Sequence, residues 1–364
     1  MRSPWYMMPV LKQLSRNPRF REGCLFVSIG VLVAFGLQES LLFGLSRYDA
    51  GNVGVMNAIM RHTIDADLVI SGSSRAMYHY DPQIIQSRTG LKTINIGRNG
   101  TKLHEQLRLL ELYLERNTPP QYLIQNLDIF SLQENDDITD PKQYFAWLGT
   151  TEVYAPLVRE KAYYRLYKAI PLFALAYGGG MREGVLGLLE AGRPSSGTLG
   201  GYEPQDRTWD GEFDKFREQH PGGVIARIDP KKEETLCRLL EICQRHRIVP
   251  LLVYSPEYHP AQSIFLNRPE IISAFRRIAN QFNVRFWDYS NDPLSYEKAN
   301  FYNSQHENEK GATEFSILIG TRMARELLRE AAPRTSTATY TRRNAVTHCA
   351  IIPDASAVIV TGQN

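Results

Sequence analysis

Three short segments combine residue types that could carry out acyl chemistry. The first, Ser71-Gly72-Ser73-Ser74-Arg75, sets hydroxyls on a turn that Gly72 can tighten. That would expose a serine oxygen with backbone N–H groups around it. The same residues would also make a serine-rich cap at the start of a helix. In the second, Phe301-Tyr302-Asn303-Ser304-Gln305-His306, a histidine stands just before Glu307, Asn308, Gly311 and Ala312. A histidine there can take a serine's proton as general base, or it can simply face solvent from a loop. The third is Asn95-Ile96-Gly97-Arg98-Asn99-Gly100-Thr101. Its glycines could bring backbone N–H groups to an oxyanion, or serve as a plain strand-to-helix turn. No G-x-G-x-x-G opens a helix, so a dinucleotide site is not supported. No C-x-x-C pair or Cys/His cluster occurs, so zinc is not expected.

These segments need a frame. From about residue 65, short β-branched runs alternate with amphipathic helical patterns, as in a parallel sheet with crossover helices. Strands are expected at 68–71, 92–96, 122–128, 249–254 and 284–288. Helices are expected at 82–88, 103–116, 230–246, 268–282 and 311–330, the last with Phe315, Leu318, Ile319, Met323 and Leu327 along one face. The fold class is α/β, a doubly wound and mainly parallel five-stranded sheet with functional loops at the carboxyl ends of its strands. Each candidate segment follows an expected strand or precedes an expected helix. Residues 135–228 break the rhythm with an acidic turn (Glu134, Asp136, Asp137, Asp140), a Tyr-rich helical stretch, Gly178-Gly179-Gly180 and a Gly/Pro/Ser-rich segment at 192–204. So long an excursion reads as a helical insertion within a domain spanning 60–332. Its aromatics suit a helical core, carbohydrate stacking or contact with a membrane surface.

The amino terminus carries a membrane signal. Residues 23–37 hold no charge, and 41–45 extend the run past Glu39. A helix over 23–45 would be about 33 Å long, enough for a hydrocarbon core of about 30 Å. Arg2, Lys12, Arg16, Arg19 and Arg21 precede it, with Glu22 the one acid. The positive-inside rule then keeps 1–22 in the cytoplasm and puts the domain outside, in the periplasm or beyond the cell. A cleaved signal or a core helix are the other readings. The net charge of +3 is small and belongs to the ends of the chain, which gives no reason to expect nucleic acid. Of four cysteines, Cys24 lies in the apolar run, Cys349 in the tail, and Cys237 and Cys243 six apart in a helix pattern that prevents them from bridging. The Thr-rich tail, 333–364, shows no helical period and is expected to be loosely ordered, with a short strand open to 350–360.

A serine turn after the first strand, a glycine turn after the second and a histidine loop before the last helix together resemble the SGNH/GDSL hydrolase superfamily. The likeness extends to its exported, membrane-anchored members that handle acyl groups on cell-surface polymers, the alginate O-acetylation proteins and related O-acetyltransferases. It covers roughly 65–130 and 245–330. It implies Ser74 as nucleophile in Gly72-Ser73-Ser74, with Ser73 where an aspartate is common. It implies N–H donors at Ser74 and Gly100 for the oxyanion, and Asn126 as a third donor, although the G-x-N-D pattern is missing around it. The D-x-x-H block falls on Asn303-Ser304-Gln305-His306, with His306 as base and Asn303 in place of the acid. An amide orients the ring but adds no negative charge. The consequences are a slow Ser-His dyad, a substitute acid at Asp288 or Asp292, or lost catalysis with the cleft kept for binding.

Two functions follow from the resemblance. One is an exported serine esterase or O-acyltransferase acting on a cell-envelope polysaccharide through an acyl-serine, needing no cofactor and working with a membrane-bound acyltransferase partner. The other is an inactive, membrane-tethered subunit that binds glycan or a partner protein.

Overall fold

The computed structural model describes residues 17–133, 138–189 and 199–328. Arg2, Lys12, Arg16, the acidic turn at Glu134, Asp136 and Asp137, part of 192–204 and the tail from 333 lie outside them. In chain order the elements are α1 (Pro18–Leu45), α2 (Gly51–Met60), β1 (Leu68–Ser71), α3 (Ser74–His79), α4 (Pro82–Thr89), β2 (Thr93–Asn95), α5 (Leu103–Arg116) and β3 (Tyr122–Leu127). Then come α6 (Thr151–Glu160), α7 (Tyr164–Ala169), α8 (Phe173–Tyr177), α9 (Met181–Leu189), α10 (Glu212–Gln219) and α11 (Pro230–Arg245). The chain closes with β4 (Val249–Tyr254), α12 (Arg268–Gln281), β5 (Arg285–Asp288) and α13 (Glu309–Met323).

By contacts the chain divides into two units, residues 50–139 with 195–364, and residues 1–49 with 140–194. The first unit holds a parallel five-stranded sheet in the order β2-β1-β3-β4-β5. Side chains alternate between its faces, as the two-residue period of a strand requires. Leu68, Ile70, Ile124, Leu251, Val253 and Trp287 pack with Ile85 of α4 and with Phe315, Ile319 and Met323 of α13. On the other face α5, α11 and α12 lie side by side, and Tyr254 meets Phe275. Helices therefore cover both faces, and the central strands β1 and β3 are buried at every position. The strand order reverses direction between β1 and β3, which run in register with Ser71 opposite Gln125. In open α/β sheets that reversal leaves a crevice at the strands' carboxyl ends.

The helix caps follow the sequence. Asp81, Asp229 and Asn308 accept backbone N–H bonds at the starts of α4, α11 and α13. Gly90, in the left-handed region, stops α4. The expected last helix begins two residues earlier than 311 and ends as a π turn at Ala324–Leu328. Two short helices, α2 and α3, have no counterpart among the expected elements. Cys237 and Cys243 are buried in α11 as free thiols.

The expected insertion, 135–228, does not pack as one body. Residues 140–194 group with α1, while residues from 195 onward group with the sheet. Its Tyr-rich stretch is three short helices, α6 to α8, rather than one. Pro156 lies inside α6, and α8 starts just after Pro171, with Leu172 in the left-handed region at its cap. Within this unit α1 is the one helix among the described residues long and apolar enough to cross a membrane, and most of its apolar side chains are exposed.

Candidate active site

Ser74 is the first residue of α3, immediately after β1 and the turn at Gly72. Gly72 has φ +153°, and a Cβ there would lie 2.7 Å from the Ala76 Cβ and 2.9 Å from that of Asn126. Only glycine lets the chain turn this tightly from β1 into α3 against β3. The Ser74 Oγ sits 2.7 Å from His306 Nε2, across 232 residues of sequence. His306 reaches it from the loop before α13.

The histidine's tautomer can be read from its neighbours. Asn303 Oδ1 accepts the backbone N–H of Gln305 at 3.0 Å and of His306 at 2.9 Å, which fixes it as the oxygen of the amide. The same oxygen lies 3.0 Å from His306 Nδ1, so Nδ1 carries the ring proton. Nε2 is then left as the acceptor for the Ser74 hydroxyl. Tyr302 stacks on the imidazole at 5.5 Å and Tyr78 meets it edge-on at 5.6 Å. Burial under these rings, reinforced by the Arg75 charge and opposed by Asp128, pushes the His306 pKa down to about 4.

The structure does not bring together every residue the sequence singled out. Gly100, with φ +77°, lines a small cavity of about 70 Å³ with Ser73, Ser74, Thr101, Gln106, Asp128 and Phe130. Ser74 and Gly100, the two residues expected to give N–H donors, thus line the same cavity. Asn126 is not part of this cavity. It is fully buried, its Oδ1 accepting the Tyr80 hydroxyl at 2.7 Å, because its strand position points the side chain into the sheet's packed face. Asp288 pairs with Arg276 and accepts from Ser290, and Asp292 caps the turn at Leu294. The expectation that either replaces the missing acid is therefore corrected: the Nδ1 acceptor is Asn303 itself.

Several groups at the site escaped the sequence reading. Asp128, at the carboxyl end of β3, accepts the Ser73 hydroxyl at 2.6 Å, so a carboxylate does stand beside the serine turn, supplied from the adjacent strand. An acidic residue closing an apolar strand was its available signal. Arg75 is 2% exposed. Its guanidinium binds the carbonyls of Ser255 and Pro256, lies 3.4 Å from Glu257 and covers the Tyr254 ring at 4.6 Å. Glu257 also holds Arg268 at 3.0 Å and the Tyr254 hydroxyl at 2.9 Å. This buried network pins the first turn of α3 to the end of β4. At the other end of α3, His79 Nε2 accepts the Glu307 N–H at 3.0 Å, and His79 Nδ1 lies 3.3 Å from the Glu307 carboxyl. Burial drives the His79 pKa down and the Glu307 pKa up, because both charged forms are cut off from solvent.

A cleft of about 630 Å³ opens on the His306 side. Phe213, Phe216, Ile225, Ala261, Ile264 and Phe265 form its apolar wall, and Phe130 and Gln305 line both it and the small cavity. Among the described residues no group of three or more His, Cys, Asp or Glu side chains could hold a metal ion.

No family model matches the chain, and no curated protein does. Among solved structures, one assigned to the G-D-S-L lipolytic family from Desulfitobacterium hafniense DCB-2 is 11% identical over 70% of this chain and 97% of its own, with a TM-score of 0.32. One assigned as an acylhydrolase from Bacteroides fragilis NCTC 9343 is 11% identical over 71% of this chain and 88% of its own, also at 0.32. Overlaps of that size decide nothing about activity or substrate.

Two outcomes follow from this geometry. Glu257→Ala removes the carboxylate between the buried Arg75 guanidinium and the half-buried Arg268 and should lower unfolding free energy by about 3–5 kcal/mol, read as a fall in the denaturant midpoint. Any proton transfer through His306 should persist down to about pH 4. Protonation of Nε2 below that value removes the acceptor, whereas an ordinary histidine would lose it near 6.5. A pH–rate profile that falls near 6.5 contradicts the burial of this ring.

Proposed function

We propose that this chain is an SGNH-type serine esterase or O-acyltransferase, exported and membrane-tethered, that works on a cell-envelope polysaccharide. The observation that carries the reading is the 2.7 Å contact between Ser74 Oγ and His306 Nε2, with the opposite ring nitrogen held by Asn303. Ser74 Oγ attacks the carbonyl carbon of an acyl ester while its proton passes to Nε2. The oxyanion that forms faces the N–H groups of Ser74 and Gly100. Collapse expels the alcohol, which takes the proton from Nε2, and leaves the acyl group on Ser74. Water, or a sugar hydroxyl in the cleft beside His306, then repeats the sequence in reverse.

The sizes of the two cavities support the choice of substrate. About 70 Å³ over Ser74 corresponds to roughly two waters' share of liquid volume, which suits a short acyl group such as acetyl. The larger cleft lies where His306 must deliver its proton, so it suits the alcohol or acceptor. The apolar helix α1 favours transfer over bulk hydrolysis, because an anchor would keep the site near a membrane-bound acyl supplier.

One observation favours the second reading, an inactive binding subunit. Asn303 gives no negative charge to the imidazolium that forms during attack, and His306 is already a weak base. In a serine protease the corresponding loss costs about 10⁴ in rate, or roughly 5.5 kcal/mol.

A serine-reactive fluorophosphonate separates the two readings. The wild type should label and Ser74→Ala should not; absence of wild-type labelling, or label retained by the alanine variant, overturns the enzyme reading. Asn303→Asp should raise turnover of an acetyl ester by roughly 10² to 10⁴. It should also move the acid limb of the pH profile upward, because a carboxylate at Nδ1 favours the charged ring.

A further inference from the structure

The exposed apolar surface of residues 163–189 has no role in the acyl chemistry. Within its unit, α9 crosses α1 backbone to backbone. A Cβ on Gly44 would collide with the carbonyl of Gly184, and one on Gly187 with the carbonyl of Gly44, so the two backbones touch at the crossing, with Leu188 beside them. Gln38 of α1 also accepts the N–H of Leu172 at 2.7 Å. Helix α9 is thus fixed at Leu41–Tyr48, the carboxyl end of the apolar helix. Its glycines face α1, while Met181, Val185, Leu188 and Leu189 are all exposed, Leu189 at 71%. Tyr177, at the end of α8, is 73% exposed and stacks on Phe173 at 5.4 Å.

We propose that α8 and α9 form a second membrane contact, lying in the boundary between head groups and acyl chains of the bilayer that α1 crosses. This rests on the reading of α1 as a membrane span. If residues 23–45 cross a core about 30 Å thick, Gly44 falls at its far boundary, and whatever packs on Gly44 lies at that depth. A helix held there with its outward positions apolar buries them in lipid, and tyrosines are the residues that favour this layer. Lipid is the occupant the structure favours because α9 packs on the end of α1, a helix long and apolar enough to span a bilayer and with most of its apolar side chains exposed.

The test uses the full chain reconstituted in vesicles of phosphatidylcholine and phosphatidylglycerol. A photoreactive benzophenone amino acid replaces Leu189, Val185 or Tyr177 in turn, with Leu32 of α1 and Leu266 of the sheet unit for comparison. All five positions are exposed, so folding is spared. After irradiation, phospholipid adducts are expected at 189, 185, 177 and 32, and at least tenfold fewer at 266. Adducts at 32 without adducts at 189, 185 and 177 overturn the interfacial contact alone. Crosslinks from 189 to a second polypeptide overturn it in favour of a protein partner. Absence of lipid adducts at 32 removes the membrane span, and the proposal with it. Equal adducts at 266 also overturn it, since contact would not be confined to α8 and α9.

Discussion

The site depends on one six-residue helix being held at both ends by one loop. Helix α3 begins with Ser74 and ends with His79, and the loop before α13 offers consecutive residues, His306 and Glu307, to those two positions. Because 306 and 307 are covalently joined, a shift that loosens one contact loosens the other. Arg75 adds a third restraint, tying the same helix to the carbonyls at the end of β4. The ends of β1 and β4 and the loop before α13 therefore meet at α3, and a short helix with little intrinsic stability keeps its place through tertiary bonds.

Electrostatics at this point are a contest between three groups of different charge. Arg75 opposes a charged His306, Asp128 supports it, and burial under Tyr78 and Tyr302 adds to the opposition. The result is an imidazole that stays neutral, with its tautomer fixed by a neutral amide. Asn303 can do that because its oxygen is already locked by two backbone N–H groups. What an amide withholds is stabilisation of the charged intermediate. Orientation and base strength, usually supplied together by a carboxylate, are separated here.

The two contact units differ in surface chemistry. The sheet unit covers both faces of its strands with helices and keeps its polar groups at the strands' carboxyl ends. The unit of α1 with 140–194 leaves apolar side chains exposed along α1, α8 and α9 and joins helices through glycines. Burial in water would favour the first arrangement everywhere; exposed apolar surface of the second kind is what a protein or membrane contact would cover.

Much of the frame was legible in the sequence because it rests on local periodicity. The five strands, the long amphipathic helices and the apolar amino-terminal helix follow from residue alternation and hydropathy. The serine turn and the histidine loop were visible as residue types at strand and helix ends. Long-range pairing was not. Asp128 beside Ser73, Arg75 with Glu257, and His79 with Glu307 join positions 55 to 228 residues apart, and no spacing rule links them. The resemblance likewise offered Asn126 as a donor, with Asp288 or Asp292 as a substitute acid, and their directions decided otherwise. Chain composition determined what kind of groups were present and which elements carried them. Only the packed sheet decided which of those groups face one another, because side-chain direction at a strand's end is set by register with its neighbours.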